Sequence, residues 1–171
     1  MSRKAGARSA GQALFERDGV IEEALQITNE EKAVVQTAWQ NTQKGIRELE
    51  ARASVSKELE DYSVQITVPD LTQGMTHLGS DFSSTVQQTL GLNRGNAFLA
   101  AKQIDQVVAQ SGQERTYTVQ AELVGQKWRF KMTQDGPGGR RVWVGESVPE
   151  EIRHLTDEAQ ISPRISELPE E

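Results

Sequence analysis

From Arg115 onward the chain changes its period. The run RTYTVQAELV sets Tyr117, Val119, Ala121 and Leu123 at alternate positions, with Thr116, Thr118, Gln120 and Glu122 between them. KWRFKM repeats the pattern with Trp128, Phe130 and Met132 against Lys127, Arg129 and Lys131, and RRVWVG follows the glycine-rich break DGPGG. Successive side chains of a strand point to opposite faces, so this alternation builds a sheet with one apolar and one polar face. The short breaks GQ and DGPGG suit tight turns, and strands joined this way form an antiparallel meander. The reading places Tyr117, Val119, Trp128, Phe130, Val142 and Val144 on the apolar face. That face needs a cover.

Helical patterns upstream can supply it. TNEEKAVVQTAWQNTQKGIRELEARAS opens on Thr28 with Glu31 three residues on, the spacing of a capping box in which each side chain satisfies an amide the first turn leaves free. Val35, Trp39, Thr42, Ile46, Leu49 and Ala53 then recur at alternating steps of four and three, one stripe of a long helix. A coiled-coil dimer would use the same spacing, but the stripe is short and contains Thr42, so packing within the domain is the expectation. QALFERDGVIEEALQ carries Leu14, Ile21 and Leu25 on one helical face, interrupted by Gly19. Leu71, Met75, Leu78, Phe82, Val86 and Leu90 have helical spacing, with Gly74 and Gly79 marking a break or a late start at Ser80 and Gly91 a C-cap. Asn93 is the expected cap of one further helix reaching Val108 through Ala97, Ala101 and Ile104. YSVQITVPD alternates as a strand that Pro69 ends, and VPEEIRHL reads as one short helix.

The expectation is therefore an α+β fold. Helices over residues 12–57 and 70–110 pack on a three- to four-stranded antiparallel sheet from 115–145, and the strand at 63–68 joins it at an edge. The 171 residues suffice for one domain, taken as 12–155. Residues 1–11 are small, polar and basic, and 156–171 are acidic and poor in large apolar groups, so both read as disordered tails.

Composition excludes several chemistries. The chain has no cysteine, which removes disulfides, thiolate metal sites and a cysteine nucleophile. No apolar run is long enough to span a bilayer. Arg3, Lys4 and Arg8 resemble the start of a leader, but ALFERDGV brings charge before any apolar core, so the chain reads as cytoplasmic, or periplasmic if a leader precedes Met1. The net charge of −6 is uneven: 115–141 carries six basic against two acidic residues, whereas 142–171 carries two basic against eight acidic.

DGPGG lacks the following helix and the Gly-Lys-Ser/Thr that a phosphate loop needs, so it is a hairpin turn. His77 and Asp81 are four apart, the spacing for two metal ligands or a base with its orienting carboxylate, and Ser83 stands close by. A metal-assisted or serine-type hydrolase around His77, Asp81 and Ser83 is the enzymatic alternative. It lacks a third metal group and the Gly-x-Ser-x-Gly setting of an exposed nucleophile. The remaining feature is the comb Lys127, Arg129 and Lys131, with Arg140 and Arg141 on the next strand, as a candidate anion-binding face for nucleic-acid backbone or another polyanion, against the alternative of a solvated face whose lysines discourage aggregation. Nucleic-acid sheets add exposed aromatic platforms, which the alternation places on the other face here. The expectation is a non-enzymatic binding or interaction module with no cofactor, its partner and oligomeric state undefined by sequence.

Overall fold

The computed structural model describes residues 14–15, 19–59, 62–124 and 127–156, with the side chains of Leu123, Lys127 and Trp128 outside the description. Expectations that rest on the two tails beyond residues 14 and 156, or on the Trp128 and Lys127 side chains, lie outside the described residues. The fold is α+β, and its contacts divide it into two compact units: Met1–Glu48 with Leu71–Gly112, and Leu49–Asp70 with Gln113–Glu171.

The first unit is helical. It holds α1 (Val20–Ala24), most of α2 (Asn29–Ala53), α3 (Thr72–Leu90), α4 (Leu92–Lys102) and α5 (Ile104–Ser111). The predicted stripe of α2 is buried at Val35, Trp39, Thr42 and Ile46, and Trp39 meets Phe82 of α3 with ring centroids 5.1 Å apart. The capping box forms as spaced: the Thr28 amide donates to Glu31 Oε2 at 2.9 Å and the Glu31 amide to Thr28 Oγ1 at 3.2 Å. Replacing Thr28 by alanine is expected to lower stability by about 1 kcal/mol, and an unchanged urea midpoint would show that the cap is idle.

Arg94 of α4 ties the α1–α2 connection together. Its guanidinium donates to the carbonyls of Leu25 and Gln26 and reaches both carboxylate oxygens of Glu31, at 3.0 and 2.7 Å. The arginine hydrogen bond, with that of the Thr28 amide, holds the Glu31 carboxyl below its ordinary value. Of the helix expected across Gln12–Gln26, the described residues form the five-residue α1, which starts after Gly19, whose φ of +58° suits glycine.

Three helix expectations change. Gly74 and Gly79 do not break α3, because Gly79 is buried where a Cβ would lie 3.1 Å from Val108 Cγ1; the glycine is there for close packing. Asn93 is not a cap, since α4 begins at Leu92 after Gly91. The single helix expected through Val108 is two, broken at Gln103 with φ +53°. In one continuous helix Phe98 and Ile104 would lie about 120° apart around the axis. The break returns both to the core, where each is almost fully buried, and leaves the expected Ala97 and Ala101 face exposed. Gly95 sits at another close crossing: an added Cβ would lie 2.9 Å from the Gln87 Cα. Gly95→Ala is therefore expected to destabilise by about 1–3 kcal/mol in thermal or urea unfolding, although alanine in an open helix would stabilise by about 1 kcal/mol.

The second unit is a five-stranded antiparallel sheet in sequence order: β1 (Val55–Glu58), β2 (Ser63–Val68), β3 (Arg115–Val124), β4 (Lys127–Gly136) and β5 (Gly139–Gly145). The strand expected at an edge is second in order, because α2 ends at Ala53 and residues 55–57, read as helix, belong to the outer strand β1 (Val55–Glu58) instead. One face buries Ile66, Val68, Tyr117, Val119, Ala121 and Met132. The segment after β5 buries Val148, Ile152 and Leu155 in the same unit, with a 3-10 turn at Glu150–Ile152, and Thr156, assigned by sequence to the tail, is buried too.

The predicted phase of β5 is wrong by one residue. Gly136 pairs with Gly139 across Pro137 and Gly138, and this register sets Trp143 opposite Met132, Val142 opposite Thr133 and Val144 opposite Lys131. Trp143 is thus the inward residue, and Val142 and Val144 are each 58% exposed on the other face. Counting from the turn determines the phase; three consecutive apolar residues do not.

Candidate functional site

The open face of the sheet can be assembled row by row from the register. Gln120, Lys131 and Val144 form one row, Thr118, Thr133 and Val142 the next, and Thr116, Asp135 and Arg140 the one nearest the β4–β5 turn. Arg129 lies opposite Glu122, and the backbone places Lys127 opposite Val124 on the same face. Paired residues of an antiparallel ladder share a face, so Arg129, Lys131 and Arg140 stand on this one. Its charges are not equivalent. Arg140 is engaged by Asp135, with Nε donating to Oδ1 at 2.7 Å and Nη2 to Oδ2 at 3.2 Å, and this hydrogen bond holds the Asp135 carboxyl below its ordinary value. Arg141 falls on the opposite face from Arg140 because the two are adjacent in one strand. Arg129 and Lys131 are exposed and make no ion pair with another described residue.

What alternation concealed is the apolar partner of this comb. Val142 and Val144 stand beside Thr133 and Lys131, so the surface combines two exposed cations with two exposed valines. The hairpin Lys127–Gly145 carries five basic residues against one acidic, net +4, in a chain whose net charge is −6.

His77, Asp81 and Ser83 all lie on α3. His77 and Asp81 are exposed and one turn apart, while Ser83 is half-buried. At 100° per residue Ser83 points about 160° around the axis from Asp81, so the continuous helix carries the serine away from the other two. Among the described residues no group of three histidine, aspartate or glutamate side chains could hold a metal. Asp81 also lies on an open groove of about 600 Å³ between α2 and α3, lined by Ala33, Val34, Ala38, Leu78, Phe82 and small polar residues; Asp81 is the one titratable group in that lining.

A second cluster had no sequence signal. In the sheet unit, Glu50 of α2 is buried, and its Oε1 accepts from Arg115 Nη2 while its Oε2 lies 2.6 Å from His154 Nε2. Arg115 Nε donates to the Tyr117 hydroxyl at 2.7 Å. Burial alone would raise the Glu50 carboxyl, but the hydrogen bond from His154 and the charge and hydrogen bond of Arg115 outweigh it, and the group sits below its ordinary value. Burial raises the Tyr117 phenol against the opposing pull of Arg115. Since Glu50 accepts, His154 Nε2 carries the shared proton, and Nδ1 is buried without a partner among the described residues. Both carboxylate oxygens and both ring nitrogens are therefore turned inward. The cluster anchors the 3-10 segment and the first residue of β3 to the end of α2.

No helix of the described chain is long and apolar enough to cross a membrane. Comparison with known protein families, with characterised proteins and with solved structures finds no match for this chain.

Proposed function

We propose that the chain is a non-enzymatic interaction module that binds a partner protein through the open face of β4 and β5. The observation that supports this reading is the mixture on that face: exposed Arg129 and Lys131 beside exposed Val142 and Val144. A polyanion would gain nothing from the valines, which offer no plane on which a base can stack. A protein surface with carboxylates around an apolar centre would use both features, because apolar contact supplies affinity and peripheral charge supplies orientation and speed of encounter.

The test is selection of short peptides from a displayed library against the full chain. Enriched peptides are expected to carry acidic and apolar residues together. Their affinity is expected to fall about tenfold or more, that is by about 1.4 kcal/mol or more, in Arg129→Glu with Lys131→Glu, and also in Val142→Thr with Val144→Thr. Retention of the chain on heparin or duplex DNA at low salt, without peptide enrichment, would replace this reading with the polyanion one.

A further inference from the structure

We infer that β5 accepts an extended acidic segment of a partner as a sixth strand, an inference that rests on the proposed binding face and specifies how it is used. The sheet has two edges, and they differ. At one edge, β1 is four residues long and carries Lys57 and Glu58 side by side, so its two faces each present a charge. Short, charged edges of this kind resist further pairing. At the other edge, β5 is seven residues long; its charges, Arg140 and Arg141, sit at its start and share one sign, and from Val142 to Gly145 it runs uncharged. No described strand pairs with its outer side. Its backbone therefore offers a row of donors and acceptors, and Val142 and Val144 supply contacts for alternate residues of an incoming strand.

The charge around this edge selects the occupant. The hairpin that presents it has a net charge of +4, with Lys131 exposed beside Val144 and Arg141 exposed on the opposite face. Two copies meeting β5 to β5 would bring two such hairpins together, and like charges juxtaposed at an interface oppose it. An extended segment that alternates carboxylates with β-branched apolar residues meets both requirements: apolar side chains follow Val142 and Val144, and the carboxylates, sent by alternation to the opposite face, meet exposed Arg141. Main-chain hydrogen bonds would supply affinity, and the alternation would supply specificity.

The probe is a capped synthetic peptide alternating glutamate and valine, with two controls: the same peptide N-methylated at alternate residues, and a lysine–valine analogue. Each is titrated into the full chain while amide hydrogen exchange is followed along β5. The glutamate–valine peptide is expected to bind, and to slow exchange at every second amide between Gly139 and Gly145, those facing outward from the sheet. N-methylation is expected to weaken binding by about tenfold or more, because it removes the donors that pair with the edge. The lysine–valine analogue is expected not to bind. Equal binding of the N-methylated peptide, or binding without protection in β5, overturns strand addition and leaves the proposed face intact. Failure of the glutamate–valine peptide to bind at millimolar concentration overturns it as well, and the library selection then decides the fate of the face separately. Protection of β5 that rises with protein concentration in the absence of peptide, together with sedimentation as a dimer, overturns it in favour of a second copy at the edge.

Discussion

Replacing Glu50 by alanine is expected to lower the unfolding free energy by about 3–5 kcal/mol, among the largest effects of any single change in the sheet unit. Glu50 is only 5% exposed, and its two oxygens are the shared acceptors of Arg115 and His154. Truncation leaves a guanidinium and an imidazole facing a void, with the Arg115 and His154 side chains only 12% and 19% exposed. Most of the loss comes from the stranded Arg115 charge, so the combined change of Glu50 to leucine and Arg115 to methionine is expected to recover much of it. The carboxyl titrates below its ordinary value in the folded chain. Its stabilising contribution is therefore fully present above the ordinary carboxylate value, near 4.5, and is lost as pH falls through the depressed folded value. Glu50→Gln should accordingly flatten the acid limb of the stability profile. Chemical denaturation at neutral and acidic pH measures both effects, and an alanine variant within about 1 kcal/mol of the parent would show that the cluster is solvated rather than buried.

The helical unit contains an equivalent weak point. Lys102 is 4% exposed and its Nζ lies 3.4 Å from Glu22 Oε1, with the Phe98 ring centroid 5.9 Å away. Glu22→Gln is expected to destabilise by about 3–5 kcal/mol, because it leaves an ammonium with no compensating charge in an apolar surround. Lys102→Met combined with Glu22→Leu should be close to neutral, since similar apolar volumes fill the same space without desolvating a charge. The pattern across the single and double changes is diagnostic. If the single and double variants are equally destabilised, the pair matters for its shape and not for its charge. Urea unfolding of the three proteins decides this.

The sequence reveals local features well and placement poorly. The capping box at Thr28 and Glu31, the stripe from Val35 to Ile46 and the alternation from Arg115 to Met132 are each visible because their spacing is that of one secondary structure. Glu50, Lys102 and Glu22 were invisible for the opposite reason. A charged residue on a helix reads as solvent-facing, and only tertiary pairing shows that it is enclosed. The break at Gln103 carries no glycine or proline to announce it. Alternation cannot rank the two faces of β5, because Val142, Trp143 and Val144 are all apolar. The two-residue connection Pro137–Gly138 could have ranked them, since once Gly136 and Gly139 are paired, Trp143 must oppose Met132. That single shift exposes two valines beside the cationic comb and turns a charged surface into a mixed one.

The most direct measurement of the central claim is calorimetric titration of a selected acidic–apolar peptide into the parent chain and into a variant carrying Arg129→Glu, Lys131→Glu, Val142→Thr and Val144→Thr. All four side chains are exposed, so the variant should unfold within about 1 kcal/mol of the parent. The proposed face predicts that the peptide binds the parent more weakly as salt rises and shows no measurable heat with the folded variant. Equal affinity for the two proteins would place the partner elsewhere on the chain and contradict the account.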